Sequence, residues 1–198
     1  MDKLLMMSRC AVNYDTDIDD LRYSVIYDYQ DCSLRIYNDT DGCTWGDTKI
    51  KIKEYKDICK YIDVYCRLGK YCSELFSDFV NLKSIGFLEN AALNDVLYAT
   101  GMFRNCVLLE HVGSQYWNLP KVKDTSYMFS GCVSLKRIDS ASSWDIPTVV
   151  NAESMFYNNK SLQPLNFSKW HTSNVENMLN MFYGCELLES LPTWYKQS

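Results

Sequence analysis

Residues 122–138 read VKDTSYMFSGCVSLKRI, and the same skeleton returns on both sides of them. The dipeptide Met128-Phe129 at its centre recurs as Met102-Phe103, Met155-Phe156 and Met181-Phe182, at spacings of 26, 27 and 26 residues. Six residues before each Met stands Val96, Val122, Val149 or Val175, and four after it stands Cys106, Cys132, Asn159 or Cys185. A leucine follows at plus seven (Leu109, Leu135, Leu162, Leu188) and a branched aliphatic at plus ten (Val112, Ile138, Leu165, Leu191). Trp117, Trp144 and Trp170 come at plus fifteen or sixteen. A degenerate copy, with Leu75-Phe76, Leu82 and Ile85 at the same offsets, precedes these four, so the array runs from about Leu75 to Trp194.

A fixed period in the twenties with one short apolar-x-x-apolar segment per period is the signature of a leucine-rich-repeat-like solenoid, in which each turn buries its apolar face only against its neighbours. About five turns are predicted. Leu-x-x-Ile/Leu/Val enters a short strand, the strands stack into a short parallel sheet, and the Met-Phe segment lies on the return path. Gly131 and Gly184, just before the inward cysteine, predict a tight bend there. Met, Phe, Cys, Leu and Val in the repeated columns are read as packing residues, and Trp117, Trp144 and Trp170 as wall residues.

Composition narrows the function. The 198 residues carry 20 Lys and Arg against 25 Asp and Glu, a formal net charge of −5, which counts against a nucleic-acid binder that neutralises phosphates. No apolar run approaches the ~20 residues of a spanning helix, and Leu4-Leu5-Met6-Met7 is too short for a secretory leader, so the sequence predicts a cytoplasmic chain without membrane insertion. Nine cysteines are an odd number and contain no C-x-x-C pair, so buried free thiols are expected rather than disulfides or zinc. Asp15, Asp17, Asp19 and Asp20 read as a solvated loop, because the glycine and bidentate glutamate of a calcium loop are missing. No phosphate-binding glycine motif occurs, and neither His111 nor His171 forms a local pair with a cysteine. The sequence points to no catalytic residue, no metal ligand and no cofactor.

The stretches SLKRIDSASSWDIPTVVNAESMF and FSKWHTSNVENMLNMFYGCELLESL resemble the BspA-like leucine-rich repeats, in the branch of roughly 26 residues patterned W-D-T-S-x-V-x-x-M-x-x-M-F-x-x-C-x-x-L. Trp170, Thr172, Ser173, Val175, Met178, Met181, Phe182, Cys185 and Leu188 match most of that pattern in one copy, whereas Asn159, His171, Pro120 and Pro147 depart from it. The resemblance implies a curved solenoid that binds proteins or other macromolecules, found on bacterial and protozoan surfaces and in viruses and mobile elements, and it implies no catalytic reaction.

Before the array the pattern changes. Leu21, Tyr23, Val25, Tyr27 and Tyr29 alternate with Arg22, Ser24, Ile26 and Asp28, which predicts a strand; Ser33 to Tyr37 predicts a second. Ile50 and Ile52 alternating with Lys49, Lys51 and Lys53 predict a third, its lysines forming a solvated face or sheet edge. Ile58, Ile62, Tyr65, Cys66, Cys72, Phe76 and Phe79 recur near every third or fourth position and predict a helix over residues 56–79, with Cys59, Cys66 and Cys72 roughly on one side. Residues 1–74 thus form an α+β N-terminal cap, a three-stranded meander plus helix, which shields the first repeat or binds a partner itself; residues 75–198 form the solenoid.

Side chains at plus eight, nine and eleven alternate with the buried leucines and are assigned to the concave face: Lys83, Ser84, Gly86; Glu110, His111, Gly113; Lys136, Arg137, Asp139; Gln163, Pro164, Asn166; Glu189, Ser190, Pro192. These columns vary between copies while the core columns do not. Glu110, His111, Lys136, Arg137, Asp139, Gln163 and Asn166 are the predicted partner-binding residues, a mixed-charge patch suited to a protein. The leading expectation is a non-enzymatic, intracellular protein-protein interaction module, an inhibitor encoded by a virus or mobile element and directed at a host macromolecule. The alternative is a surface-exposed adhesin; a cysteine-dependent enzyme comes third.

Overall fold

The computed structural model describes residues 20–39, 42–88, 93–113, 119–139, 146–167 and 170–196. Asp15, Asp17, Asp19, Trp117 and Trp144 lie outside these segments. Six strands form one sheet in chain order: β1 (Tyr23–Asp28), β2 (Ser33–Asn38), β3 (Tyr61–Val64), β4 (Ser84–Phe87), β5 (His111–Gly113) and β6 (Arg137–Ile138). β1 and β2 pair as an antiparallel hairpin, and β2 to β6 pair in parallel, one strand per turn of a β-solenoid. Leu34, Ile62, Ile85, Val112 and Ile138 stand in register across the sheet, all buried on its inner face; Ile36, Val64 and Phe87 make a second buried row. Within the strands the period of two turns Ile62 and Val64, and Ile85 and Phe87, inward, while the leucine three before, Leu82 in the second case, is buried in the turn that leads into the strand.

Opposite the sheet, the Met-Phe segments stack in a second ladder. The N–H groups of Cys72, Glu74, Phe76 and Asp78 donate to the carbonyls of Tyr98, Thr100, Met102 and Arg104 one turn on, and the arrangement repeats through each later turn at 2.7–2.9 Å. Between these units the chain curls through tight turns, Leu75 N–H donating to the Cys72 carbonyl and Ser77 N–H to that of Glu74, and left-handed backbone recurs at two fixed places in every turn. Glu74, Gly101, Tyr127, Ser154 and Asn180 adopt it just before the Met position, and Asp78, Asn105, Gly131, Asn158 and Gly184 do so three after it. Gly, Asn and Asp fill the whole of the second column because they tolerate positive φ best. At Gly184 a Cβ would come within 2.4 Å of Asn158 Oδ1, so the expected tight bend is also a close approach between turns.

Inside this ladder the phenylalanines stack face to face. Phe76, Phe103, Phe129, Phe156 and Phe182 follow one another with ring centroids 5.2–5.6 Å apart. Such pairs add roughly 0.5–1.5 kcal/mol beyond the area they bury. Beside them Cys106, Cys132 and Cys185 each donate a thiol hydrogen bond, 3.0–3.1 Å long, to the phenylalanine carbonyl of the preceding turn. Asn159 holds the same column fully buried, and neither end of its amide finds a hydrogen-bond partner among the described residues. Trp170 is buried, as a wall residue should be, while Leu191 in the last turn is exposed.

Two elements of the predicted cap are corrected. Residues expected as a third strand form helix α1 (Trp45–Lys53), so the meander has two strands. Thr44 caps it by accepting from Asp47 N–H, Thr48 and Ile52 are buried, and Ile50 points to solvent. Residues two apart lie about 200° apart on a helix, so Ile50 and Ile52 cannot share a face. The lysine row is not a solvated strand face: Trp45 Nε1 and Lys49 Nζ donate to the Tyr71 carbonyl, and Lys53 Nζ to that of Ser77. At positions i, i+4 and i+8, they form one helical stripe laid over the carbonyl end of the first turn. Trp45 fits because Gly69 beneath it has no side chain; a Cβ there would lie 2.4 Å from the indole.

The helix predicted over residues 56–79 is likewise absent; β3 and a run of turns occupy it. Its apolar spacing belongs to an earlier solenoid turn, in which Cys59-x-x-Ile62-x-Val64 repeats Leu82-x-x-Ile85-x-Phe87. Cys59, Cys66 and Cys72 are buried by turns and strand rather than by a helix face. The sheet passes without a break from β3 to β4, across the expected boundary at residue 74.

Replacing Phe156 by Ala removes one ring from the middle of the stack and is expected to cost about 3–5 kcal/mol, read as a lower urea midpoint. Asn159→Cys restores the thiol column and relieves a buried unpaired amide, so it is expected to raise stability by about 1–3 kcal/mol; an unchanged midpoint would contradict the column assignment.

Candidate interaction face

Alternation along each strand leaves the outer face of the sheet to the residues between the buried ones. Across β3 to β6 one outer row runs Tyr61, Ser84, His111, Arg137, and the next runs Asp63, Gly86, Gly113 with Asp139 following β6. Four of the predicted binding residues meet there in cross-turn pairs. His111 Nε2 lies 2.6 Å from Asp139 Oδ2, and Lys136 Nζ lies 2.6 Å from Glu110 Oε2. Arg137 Nε approaches Asp139 Oδ1 at 3.6 Å, bringing in the fifth. Gln163 is held beside them by its N–H to the Lys136 carbonyl. Asn166 stands apart, lining a shallow pocket of about 270 Å³ with Leu165, Phe167, Leu191, Pro192 and Trp194.

Several outer-face residues escape the repeat alignment because they precede residue 75. Arg35 in β2, paired with Asp28 and Asp31, is in register with Asp63, and Tyr37 stacks on Tyr65 at 4.8 Å. The Cys59-x-x-Ile62 echo of Leu-x-x-Ile is the signal that could have placed Asp63. Between these two charged groups Gly86 and Gly113 leave backbone bare; a Cβ on Gly113 would sit 3.5 Å from Gly86 Cα.

Not all charges in the chain are equally available to a partner. Glu110 and Lys136 are exposed; the ammonium of Lys136 holds the Glu110 carboxyl below the usual range, and such pairs contribute little to folding. Arg67 and Asp95 are different: they meet at 2.6 Å with side chains only 10% and 17% exposed, and Lys121 adds a contact at 3.0 Å from a further turn. Burial alone would raise the Asp95 carboxyl, but the hydrogen bonds from Arg67 and Lys121 outweigh it and hold the group low. This trio ties three turns together.

Ser84 is the register neighbour of His111 but makes no hydrogen bond to it, and the His111 ring is held by Asp139 instead. Burial pushes the thiol of Cys59 up to about 12 and that of Cys185 to about 11, and raises Cys72 and Cys132 as well, so all four are protonated at neutral pH. Cys32 and Cys43 are half-exposed. Among the described residues no group of His, Cys, Asp and Glu is placed to hold a metal ion, and no helix is long and apolar enough to cross a membrane.

Residues 71–197 match the family described as Mycoplasma protein of unknown function, DUF285. No curated protein and no solved structure matches the chain.

Asp95→Asn removes the carboxylate charge that Arg67 and Lys121 share and is expected to cost about 3 kcal/mol at neutral pH. Because the Asp95 carboxyl is held below its unfolded value of about 3.9, its contribution is complete above that pH and disappears as pH falls through the folded value. Urea unfolding at pH 7 and pH 3 should show the gap between wild type and variant closing in acid. Native thiol labelling is expected to modify Cys32 and Cys43 first, with Cys59, Cys72, Cys106, Cys132 and Cys185 reacting after denaturation; rapid native modification of Cys132 would contradict its burial.

Proposed function

The chain belongs to the DUF285 family, and we propose that it is a non-enzymatic protein-interaction module whose working surface is the outer face of its parallel sheet. The observation that carries this reading is the contrast between the two sides of the same strands. Inward positions repeat Leu, Ile and Val from turn to turn, while Ser84, His111 and Arg137, one column away, share neither size nor charge. Packing constrains the first set, and nothing in the fold requires the second to differ so widely. A rigid ladder carrying exposed, paired charges of both signs suits a protein surface of complementary charge better than a phosphate backbone, which calls for a uniform basic stripe.

The narrower form of the proposal is an intracellular inhibitor, carried by a virus or mobile element, that occupies a surface of a host macromolecule; the resemblance to BspA-like repeats supports it. Affinity capture with the intact chain, followed by binding measurements with the captured protein, tests both. An Arg137→Ala/Asp139→Ala double variant should melt within a few degrees of wild type, since both side chains are substantially exposed, and should bind at least tenfold more weakly. Undiminished binding by the folded double variant would remove the working surface from this face.

A further inference from the structure

We propose that the outer face of the sheet receives an arginine side chain of a protein partner at Asp63, laid across Gly86 and Gly113 toward Asp139; this rests on the reading of that face as the working surface. Asp63 and Tyr61 point outward from β3, and Tyr65, which continues the same row of alternate residues, stacks on Tyr37 at 4.8 Å. Asp63 therefore stands between two aromatic side chains, of which Tyr61 is 40% exposed. Its register partner on the next strand is Gly86, whose own partner is Gly113. From Asp63 to Asp139 the row crosses three strand spacings, about 14 Å, and the middle of it is bare backbone.

Among the described residues nothing in the packing calls for these two glycines. Neither has a positive φ. A Cβ on Gly113 would meet its nearest neighbours at 3.5 Å, an ordinary contact, and one on Gly86 would meet Asp63 Oδ1 at 3.2 Å, the end of a side chain that can turn aside. Glycine weakens a strand and is kept there for a bulge, a bend or the close approach of another group. The register runs unbroken from β3 to β5, which leaves close approach from outside the sheet.

The charge along this row favours a cation. Arg35, in register with Asp63, is shared with Asp28 and Asp31, and Arg137 is drawn to Asp139, so the carboxylates on and beside the row outnumber its guanidinium groups. Lys60, Lys83 and Lys136 precede the strands, and the last two act on the Glu110 carboxyl of their own row. Asp63 and Asp139 already have neighbours, but an ionised carboxylate accepts at about four positions, so each can take a further donor. Arginine suits the place better than lysine, because its flat guanidinium lies against bare backbone, stacks on tyrosine and bonds a carboxylate through two parallel N–H groups.

The probe is the peptide acetyl-Gly-Arg-Gly-amide, titrated into the full chain and followed by the backbone amide signals in NMR. Saturable shifts should centre on Asp63, Gly86 and Gly113. The same peptide with citrulline, which keeps the shape and loses the charge, should bind roughly fivefold more weakly or worse. Asp63→Asn and Gly113→Val should each weaken the arginine peptide by about fivefold or more while melting within a few degrees of wild type. The absence of saturable shifts at the two glycines, equal binding of the citrulline or the lysine peptide, or undiminished binding by the folded variants would each overturn the arginine site. Failure of the wider reading shows separately, on the captured partner: binding that Arg137→Ala/Asp139→Ala weakens and Asp63→Asn and Gly113→Val do not would keep the face and overturn the arginine site alone.

Discussion

Alternate peptide units of the Met-Phe segment point their N–H groups at the next turn and their carbonyls at the last, and the rest of the solenoid is arranged around that alignment. The tight turns that link these units place left-handed backbone just before the Met position and three residues after it. Those two columns in turn select Gly, Asn and Asp at several positions, and they bring successive turns so close that Gly184 has no room for a side chain. Once the backbone is in register, the same side chain of every turn falls at the same height. The phenylalanines can then only stack, and the cysteine thiols meet a carbonyl one turn back.

Columns of aligned peptides have ends, and here the carbonyl end is covered by a helix. Helix α1 places Trp45, Lys49 and Lys53 over the carbonyl end, where positive charge complements the peptide dipoles. The N-terminal segment is thereby part of the solenoid, contributing β1 and β2 to its sheet and a helix to its end. In the last described turn Trp194 stacks on Trp170 and Tyr195 lies edge-on to Phe182, against the aromatic core.

The outer face inherits its order from the inner one. Because Ile62, Ile85, Val112 and Ile138 are locked in register, the residues beside them are displayed at fixed spacing without contributing to the packing. Charge there can vary at little cost in stability, whereas the Arg67–Asp95–Lys121 trio, more deeply buried, serves to join turns. The two sets of ion pairs look alike in sequence and differ in what surrounds them.

The repeat, its period, the inward columns, the buried thiols and the cluster of Glu110, His111, Lys136, Arg137 and Asp139 could all be read from the sequence, because a solenoid turn meets its neighbours at a constant offset and so writes its contacts as a period. Where contacts do not repeat, the local pattern points to the wrong element. Lys-Ile-Lys-Ile-Lys alternates like a strand, yet Thr44 caps a helix there whose stripe of Trp45, Lys49 and Lys53 finds carbonyls 22 to 26 residues further on. Ile58 to Phe79 is spaced like a helix, yet it pairs with β2 on one side and β4 on the other. Helical and strand periods differ by less than short segments can resolve, so these choices fell to the hydrogen bonds and packing available from the neighbouring turn, which exist only once the chain has folded.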